Sequence, residues 1–550
     1  MTSQTPTQPP IPQIERTEHG HRLLVDGHPA LLLGGQLHNS TPTDVGLPEV
    51  LERVRSLNAS VAIGSVSWSL VEAEEGVFDF SSVDTQLDAF REAGLRLILI
   101  WFGAFKNAAS TYAPRWVRSD PQRFPRAVAE GGKKELFTYA GATPKPVLSV
   151  FSESLRDADA RAFVAFMTHL RQVDPQHTVV MVQVENEVGL LKDSRDRCTL
   201  ADQAWGTAVP DALLRVLKND PSTFASPVTE AWQRGGARLE GTWQEVFGSG
   251  WEADEIFMAW HFGAYTEVLA AAGKAVKPLP MFANAWVGPQ PGQPEAGDYP
   301  SGGPASRVLD IWKAAAPSLD FLAADVYVDD VKTALSSYTR VDNPLFVPES
   351  RIRTGYVFWA IGLGAFGFSA FGVEDSRPGN RFAQAFGVLG GMVDVITQAQ
   401  AEGRVTGVLL EAGERQEIRC DDLQIVLQGS RSLLQTMLLD AGVQAPPPAV
   451  ETTSETVHGL PAPADTRAFG LVIRLTPDDY VIVGQDLTVD FAVPDGTVEV
   501  DSVELGRFDD GTWVRTRVVN GDERLSIVPH DEVGIARIRL LRLPAGRDQA

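Results

Sequence analysis

Two glutamates at the ends of apolar runs are the residues of this chain best placed to do chemistry. Val179-Val-Met-Val-Gln-Val-Glu-Asn-Glu187 is an apolar strand running into Asn186 and Glu187, and Pro344-Leu-Phe-Val-Pro-Glu349 is another that ends on Glu349. Carboxylates delivered from two separate buried strands are what glycosidic bond cleavage requires. One protonates the leaving oxygen, and the other attacks the anomeric carbon or activates a water. Glu187 is read as the general acid/base and Glu349 as the nucleophile, a division of labour that environment, not residue type, must set. Asn186 is placed to donate to the hydroxyl beside the anomeric carbon. Tyr327 is placed to donate a hydrogen bond that keeps Glu349 ionised and oriented. Glu185 competes with Glu187, since ideal alternation puts both on one side of a strand. The position nearer the loop, directly after an amide, favours Glu187.

The elements that must hold these residues follow from periodicity. Continuous apolar runs at Ala30–Leu37, Val61–Trp68, Arg96–Phe102, Thr178–Val184, Leu279–Ala285, Phe321–Tyr327, Leu345–Pro348 and Ala365–Phe371 alternate with helical segments, the pattern of parallel strands buried on both faces. Helices are expected over 48–57, with Leu51, Val54 and Leu57 on one face, over 83–93, with Val83, Leu87 and Phe90, and over 158–172, 254–272 and 381–398. Eight such repeats predict an α/β fold, a (β/α)8 barrel of the TIM type. A hairpin around Asp26-Gly27 precedes it.

In such a barrel the reactive groups lie at the C-terminal strand ends. In order these are Gln36, His38 and Asn39; Ser67 and Trp68; Lys106 and Asn107; Asn186 and Glu187; Asn284 and Trp286; Asp325 and Tyr327; Glu349; and Glu374. Of these, Asn186, Tyr327, Trp68, Asn107, Lys106, Asn284, Trp286 and His38 are the candidate sugar contacts. Glu374 is expected at the rim. Trp68, Trp101, Trp116, Trp205, Trp286 and Trp359 supply flat faces on which sugars pack, with at least half of them expected in the core. Residues 103–157 and 191–250 are far longer than ordinary strand-to-helix loops and are expected to shape a pocket.

Past residue 400 the pattern changes. Val405–Leu410, Leu423–Leu427, Leu471–Leu475, Tyr480–Val483 and Ile535–Leu540 are short runs between turns, and Pro446-Pro-Pro448 and residues 459–465 read as linker. The division expected is a tail over 1–20, a catalytic barrel over 21–400 and a C-terminal β-sandwich or jelly-roll domain over 405–550.

Composition narrows the partners. The 550 residues are 44% hydrophobic with a formal charge of -23, which suits a globular chain and disfavours nucleic acid. Only Cys198 and Cys420 are present, so no disulfide framework is expected and a reducing compartment suffices. The polar, Pro-rich start lacks the basic and apolar segments of a secretory signal, and no run is long enough to span a membrane. The expectation is a cytoplasmic enzyme acting on a small carbohydrate, without cofactor, metal, nucleic acid or membrane partner; a homo-oligomer is left open. Gly362-Leu-Gly-Ala-Phe-Gly367 has dinucleotide-fingerprint spacing, but it precedes a strand instead of following one.

The chain resembles retaining β-galactosidases of glycoside hydrolase family 35. The resemblance covers roughly residues 20–400 and rests on Gly34-Gly-Gln-Leu-His38, Trp68-Ser-Leu-Val-Glu-Ala-Glu-Glu-Gly-Val-Phe-Asp-Phe80 and Gln183-Val-Glu-Asn-Glu187-Val-Gly189. It implies an acid/base after strand four and a nucleophile after strand seven, matching Glu187 and Glu349, and an exo-acting β-galactosidase; the alternatives are a retaining β-glycosidase for glucose, xylose or mannose, or a non-catalytic carbohydrate-binding barrel. Val188 departs from the family's usual tyrosine. The pattern fits a bacterial branch with its own C-terminal β domain, and members of neighbouring family 42 share the two-glutamate logic.

Overall fold

The computed structural model describes residues 9–106, 111–132, 146–219, 225–443, 452–457, 460–463, 466–509 and 511–543. Three short antiparallel strands open the chain, β1 (Gln13–Arg16), β2 (His21–Val25) and β3 (His28–Ala30). The turn between β2 and β3 has Asp26 at φ 54° and Gly27 at φ 82°, the left-handed pair that a two-residue hairpin requires. Leu23 and Val25 of β2 pack with Val61, Val180, Phe282, Phe321, Phe346 and Phe366. The hairpin therefore plugs the N-terminal end of the barrel, opposite the strand ends that carry the chemistry.

Eight parallel strands follow: β4 (Leu32–Gln36), β5 (Val61–Ser67), β6 (Arg96–Lys106), β7 (Val179–Asn186), β8 (Met281–Trp286), β9 (Phe321–Val326), β10 (Glu349–Ser350) and β11 (Gly367–Phe371). They run β10-β9-β8-β7-β6-β5-β4-β11. Closure comes from a parallel bridge between Val347 and Phe368, backed by Phe366 N–H to Leu345 O at 3.1 Å and Ser369 N–H to Val347 O at 2.7 Å. The seventh strand is regular only over Glu349 and Ser350, because Pro344 and Pro348 have no N–H for a ladder.

The helices Leu47–Ser56, Ser81–Ala93, Glu153–Val173 and Trp251–Val276 lie where periodicity puts them, each a few residues longer or shifted at its ends. Three expectations change. The helix over 381–398 is two, Arg381–Gly390 and Val393–Ala401, broken at Gly390-Gly391, where glycine favours the coil. The third strand continues past Phe102 to Lys106. Residues 191–250 are not an open loop: they hold the short helices Thr199–Trp205, Asp211–Asn219, Ser226–Arg234 and Trp243–Phe247, the last two packed on Trp251–Val276.

Beyond the barrel come β12 (Val405–Leu410), β13 (Arg415–Cys420), β14 (Leu423–Gly429), β15 (Thr452–Val457), β16 (Leu460–Pro463), β17 (Ala468–Thr476), β18 (Asp479–Gln485), β19 (Leu487–Ala492), β20 (Thr497–Asp509), β21 (Thr512–Val519) and β22 (Gly534–Leu543). All pairings are antiparallel, in a six-stranded sheet β12-β17-β18-β22-β20-β21 and a three-stranded sheet β13-β14-β19. Val408, Val472, Ile482 and Ile538 of the larger sheet share one core with Ile425, Leu427 and Val489 of the smaller. Pro446-Pro-Pro448 lies outside the described residues.

The larger sheet's other face packs on the helix Thr354–Gly362, so Leu409, Phe469 and Ile473 join the barrel's own core. Gly362 sits against Gly407: a Cβ there would fall 2.1 Å from the Gly407 Cα. The Gly362–Gly367 segment thus serves close helix–sheet packing. Among the described residues no helix is long and apolar enough to cross a membrane.

Candidate active site

The C-terminal mouth of the barrel holds a cavity of about 650 Å³ into which Glu187 and Glu349 both face. The two are 6% and 7% exposed. Glu187 follows the end of β7; its backbone N–H donates to Asn284 Oδ1 at 3.0 Å, and Lys106 Nζ lies 3.0 Å from its Oε2. Glu349 begins β10, in register with Asp325 of β9. The Tyr327 hydroxyl donates to Glu349 Oε1, and Gln36 adds a further side-chain hydrogen bond. Burial, then the charge of Glu187, push the Glu349 carboxyl up to about 7, while Lys106, Tyr327 and Gln36 oppose the rise.

A third carboxyl, Asp325, lines the same cavity. Asn284 Nδ2 donates to its Oδ2 at 2.7 Å, and its Oδ1 is buried without a hydrogen-bond partner among the described residues. Burial first, then the charges of Glu349 and Glu187, raise Asp325 well above the usual carboxylate range.

The choice between Glu185 and Glu187, which alternation leaves open, is made by the backbone. Both residues have positive φ, 63° and 45°, so the strand does not alternate there. The pairing of β6 with β7 jumps from Trp101–Val184 to Lys106–Asn186, so Phe102–Phe105 face Glu185 alone. Glu185 is fully buried and turns away from the cavity: its Oε1 accepts from Ala104 N–H at 2.9 Å and its Oε2 from Phe105 N–H at 3.0 Å.

The remaining candidates divide sharply. Lys106, Trp286 and Tyr327 line the cavity, as do Gln36 and Asn39. Asn284 lies behind it, linking Glu187 to Asp325. Asn186 is 1% exposed and neither atom of its amide has a hydrogen-bond partner among the described residues, a buried polar group that a ligand or water would satisfy. Trp68 is a correction: it is wholly buried, donates its indole N–H to Glu72 at 2.8 Å and meets Trp116 edge-on, so it has no face to offer a sugar. His38 also misses the cavity. It pairs with Asp375 at 2.8 Å and packs on Phe371, tying the first strand's loop to the eighth's. Glu374 is buried, not at the rim, and accepts from His38 N–H and the Thr41 hydroxyl. Asn107 lies outside the described residues. Of the two long insertions, only Lys106 reaches the cavity among the described residues, while the turn after β8 contributes Val287 and Gln290.

Gln290 and Arg351 line the cavity and carry no sequence signal, being ordinary polar residues in loops. Asp159, behind Glu185, does carry one. It interrupts the buried stripe Leu155, Ala158, Ala162 and Phe163 of its helix, and a charge on an apolar stripe needs a partner. No group of His, Cys, Asp and Glu side chains among the described residues is arranged to hold a metal ion.

Opposed carboxyls at the mouth of a parallel barrel are the equipment of glycoside hydrolysis, and the family model that matches part of the chain is of that class. Residues 49–232 match the family model described as beta-galactosidase, that of glycoside hydrolase family 42. The match contains Glu187 and ends before Glu349. It points to family 42 and gives no support to the family 35 resemblance. Residues 382–528 match a domain of unknown function (DUF5597). No curated protein matches. Among solved structures, the family 42 beta-galactosidase Gan42B aligns over 96% of this chain and 100% of its own, at 10% identity and TM-score 0.50, and shares the fold. Beta-galactosidase from Bacillus circulans sp. alkalophilus aligns over 92% and 99%, at 10% identity and TM-score 0.46. That from the psychrophilic Marinomonas ef1 aligns over 68% of this chain, at 12% identity and TM-score 0.43; the chain spans 61% of its length.

Proposed function

We propose that the chain is an exo-acting, retaining β-D-galactosidase that hydrolyses terminal β-galactosides of oligosaccharides in the cytoplasm by a two-glutamate double displacement. The observation that supports this best is that Glu187 and Glu349, from strands four and seven, face one cavity with different partners, Lys106 on one and Tyr327 on the other. The family model matched over residues 49–232 favours galactose.

In the first step Glu349 attacks the anomeric carbon while Glu187 gives its proton to the glycosidic oxygen; the bond to the aglycone breaks and an ester to Glu349 forms. Lys106 then lies beside the carboxylate that Glu187 has become, and steadies it. In the second step that carboxylate takes a proton from water, the oxygen attacks the anomeric carbon, and Glu349 leaves. No cofactor enters either step. Asn186 serves the hydroxyl beside the reacting carbon, and Trp286 the apolar face of the sugar.

A panel of nitrophenyl glycosides tests the sugar: the galactoside is expected to be turned over fastest, and faster glucoside, xyloside or mannoside hydrolysis would reassign it. Proton NMR of the first product should show β-galactose; an α-configured first product contradicts double displacement. Glu349→Gly should lose turnover and, with azide, form the α-galactosyl azide. Recovery of the β-azide from that variant would mean that the roles of the two glutamates are exchanged.

A further inference from the structure

We propose that Asp159 and Glu185 form a proton-sharing pair that positions Lys106, and through it Glu187, by holding the bulged end of β6. The inference rests on Glu187 being the acid/base. Its starting point is a backbone deficit. Where Phe102–Phe105 bulge away from β7, the N–H groups of Ala104 and Phe105 lose their strand partner, and buried N–H groups need acceptors. The two carboxyls supply them. Ala104 N–H is shared by Glu185 Oε1 at 2.9 Å and Asp159 Oδ2 at 3.1 Å, and Phe105 N–H goes to Glu185 Oε2 at 3.0 Å. The next residue is Lys106, 3.0 Å from Glu187.

The pair is built to keep one negative charge. Asp159 receives two further donors, the Trp101 indole N–H at 2.8 Å and the Tyr265 hydroxyl at 2.9 Å. Among the described residues Glu185 receives main-chain N–H groups alone, and it is hydrogen-bonded to Asp159. Two carboxyls in contact in a buried site cannot both ionise. The charge belongs on Asp159, with its richer set of donors, and the proton on Glu185, directed at Asp159. Burial first, and the neighbouring carboxylate second, raise Glu185 well above the usual carboxylate range, in keeping with that placement. Gly103 is required as well: a Cβ there would lie 2.5 Å from Glu185 Oε1 and 2.7 Å from Asp159 Oδ1.

The proton count makes the two acids unequal under amide substitution. Glu185→Gln offers an N–H to Asp159 and a carbonyl to Phe105, as the protonated acid does; its nitrogen cannot accept from Ala104 N–H, which keeps Asp159 Oδ2 as its acceptor at 3.1 Å. Asp159→Asn cannot copy a carboxylate. Its amide nitrogen must face either the Trp101 N–H or the Ala104 N–H, donor against donor, and the bulge shifts.

The test is hydrolysis of aryl galactosides with graded leaving groups, on full-length variants whose unfolding midpoint lies above the assay temperature. Displacing the acid should hurt poor leaving groups most: Asp159→Asn is expected to lose about tenfold on phenol-like aglycones and little on dinitrophenyl galactoside. Glu185→Gln should stay within about threefold of the parent throughout, since only the Ala104 contact that Asp159 already shares is changed. Glu185→Leu, which removes both acceptors, should resemble Asp159→Asn. A general loss of folded enzyme would lower all substrates alike. A flat profile in folded Asp159→Asn or Glu185→Leu overturns the inference. So does a steep loss in Glu185→Gln, which decides alone if the other two do not fold. Glu187→Ala run alongside separates the underlying reading: a flat profile there overturns Glu187 as acid, whereas a steep one with flat Asp159→Asn overturns only the positioning role.

Discussion

At the scale of single residues, the fold holds Glu349 where its carboxyl resists ionisation. Glu349 ionises at about 4.5 in its ordinary state and is pushed up to about 7 in the fold by burial and by Glu187. Between those values the folded chain binds more protons than the unfolded one, so this group's contribution to stability falls as pH rises and is lost above about 7. Glu349→Gln removes the charge. It should raise folding stability at pH 8 by an amount on the order of a few kcal/mol, and leave stability near pH 4 unchanged. Chemical denaturation at the two pH values checks this; equal stability of both proteins at pH 8 contradicts it. Because a nucleophile must be ionised, the same shift predicts that kcat/KM falls as pH drops below about 7. Tyr327→Phe, which withdraws a hydrogen bond from the carboxylate, should move that limb to higher pH; movement the other way would deny Tyr327 its role. For Glu187→Ala, dinitrophenyl galactoside should show a burst followed by slow turnover, and azide should accelerate the second stage and give the β-galactosyl azide. Both glutamates were legible as strand-end carboxylates. Trp68 was misread because an aromatic near a strand end looks the same whether it faces a mouth or a core, and Glu72 is what holds it inside.

At the scale of elements, the runs and helical stripes were readable because burial on both strand faces and on one helix face leaves periods in the sequence. What periodicity does not carry is interruption. The β6–β7 bulge, the Gly390-Gly391 break and the proline-limited seventh strand each turn on backbone hydrogen bonds to residues distant in the chain. Close packing of the helix Thr354–Gly362 on β12 is another such feature, and it is testable. A Cβ on Gly362 would meet the Gly407 backbone at 2.1 Å, whereas one on Gly407 would find its nearest neighbours at 3.2 Å. Backbone cannot swing aside as a side chain can, so Gly362→Ala should cost about 1–3 kcal/mol and Gly407→Ala less. Thermal unfolding of the two variants gives the order; a larger drop for Gly407→Ala would contradict the packing.

For the whole molecule, the barrel and the C-terminal sheets meet through buried apolar surface. Phe358 stacks obliquely on Phe469, and Leu409, Leu471 and Ile473 belong to the same core as the barrel. A chain ended at residue 403 would leave the helix Thr354–Gly362 bare, and each fully buried side chain forgoes roughly 1.5–3 kcal/mol when it is exposed. Such a truncation is expected to be insoluble or unfolded, and the full chain to unfold in a single calorimetric transition. Two well-separated transitions, or a soluble and active truncation, would show that the two parts fold independently.

The amino-acid sequence by itself determined the periodic and the chemical facts: eight buried parallel strands, a β-rich C-terminal part, and carboxylates where the fourth and seventh apolar runs stop. These are local, since burial writes its period into neighbouring residues and a strand end is marked by where the apolar run stops. Only the tertiary structure decided which way Glu185 and Glu187 point, that Glu374 is buried and His38 tethered, and that Lys106 stands beside Glu187. Each of those depends on a partner far along the chain, such as Asp159 for Glu185 or Asp375 for His38. A side chain's direction at a bulge is fixed by whichever acceptors and charges the fold brings to it, and no spacing in the sequence records them.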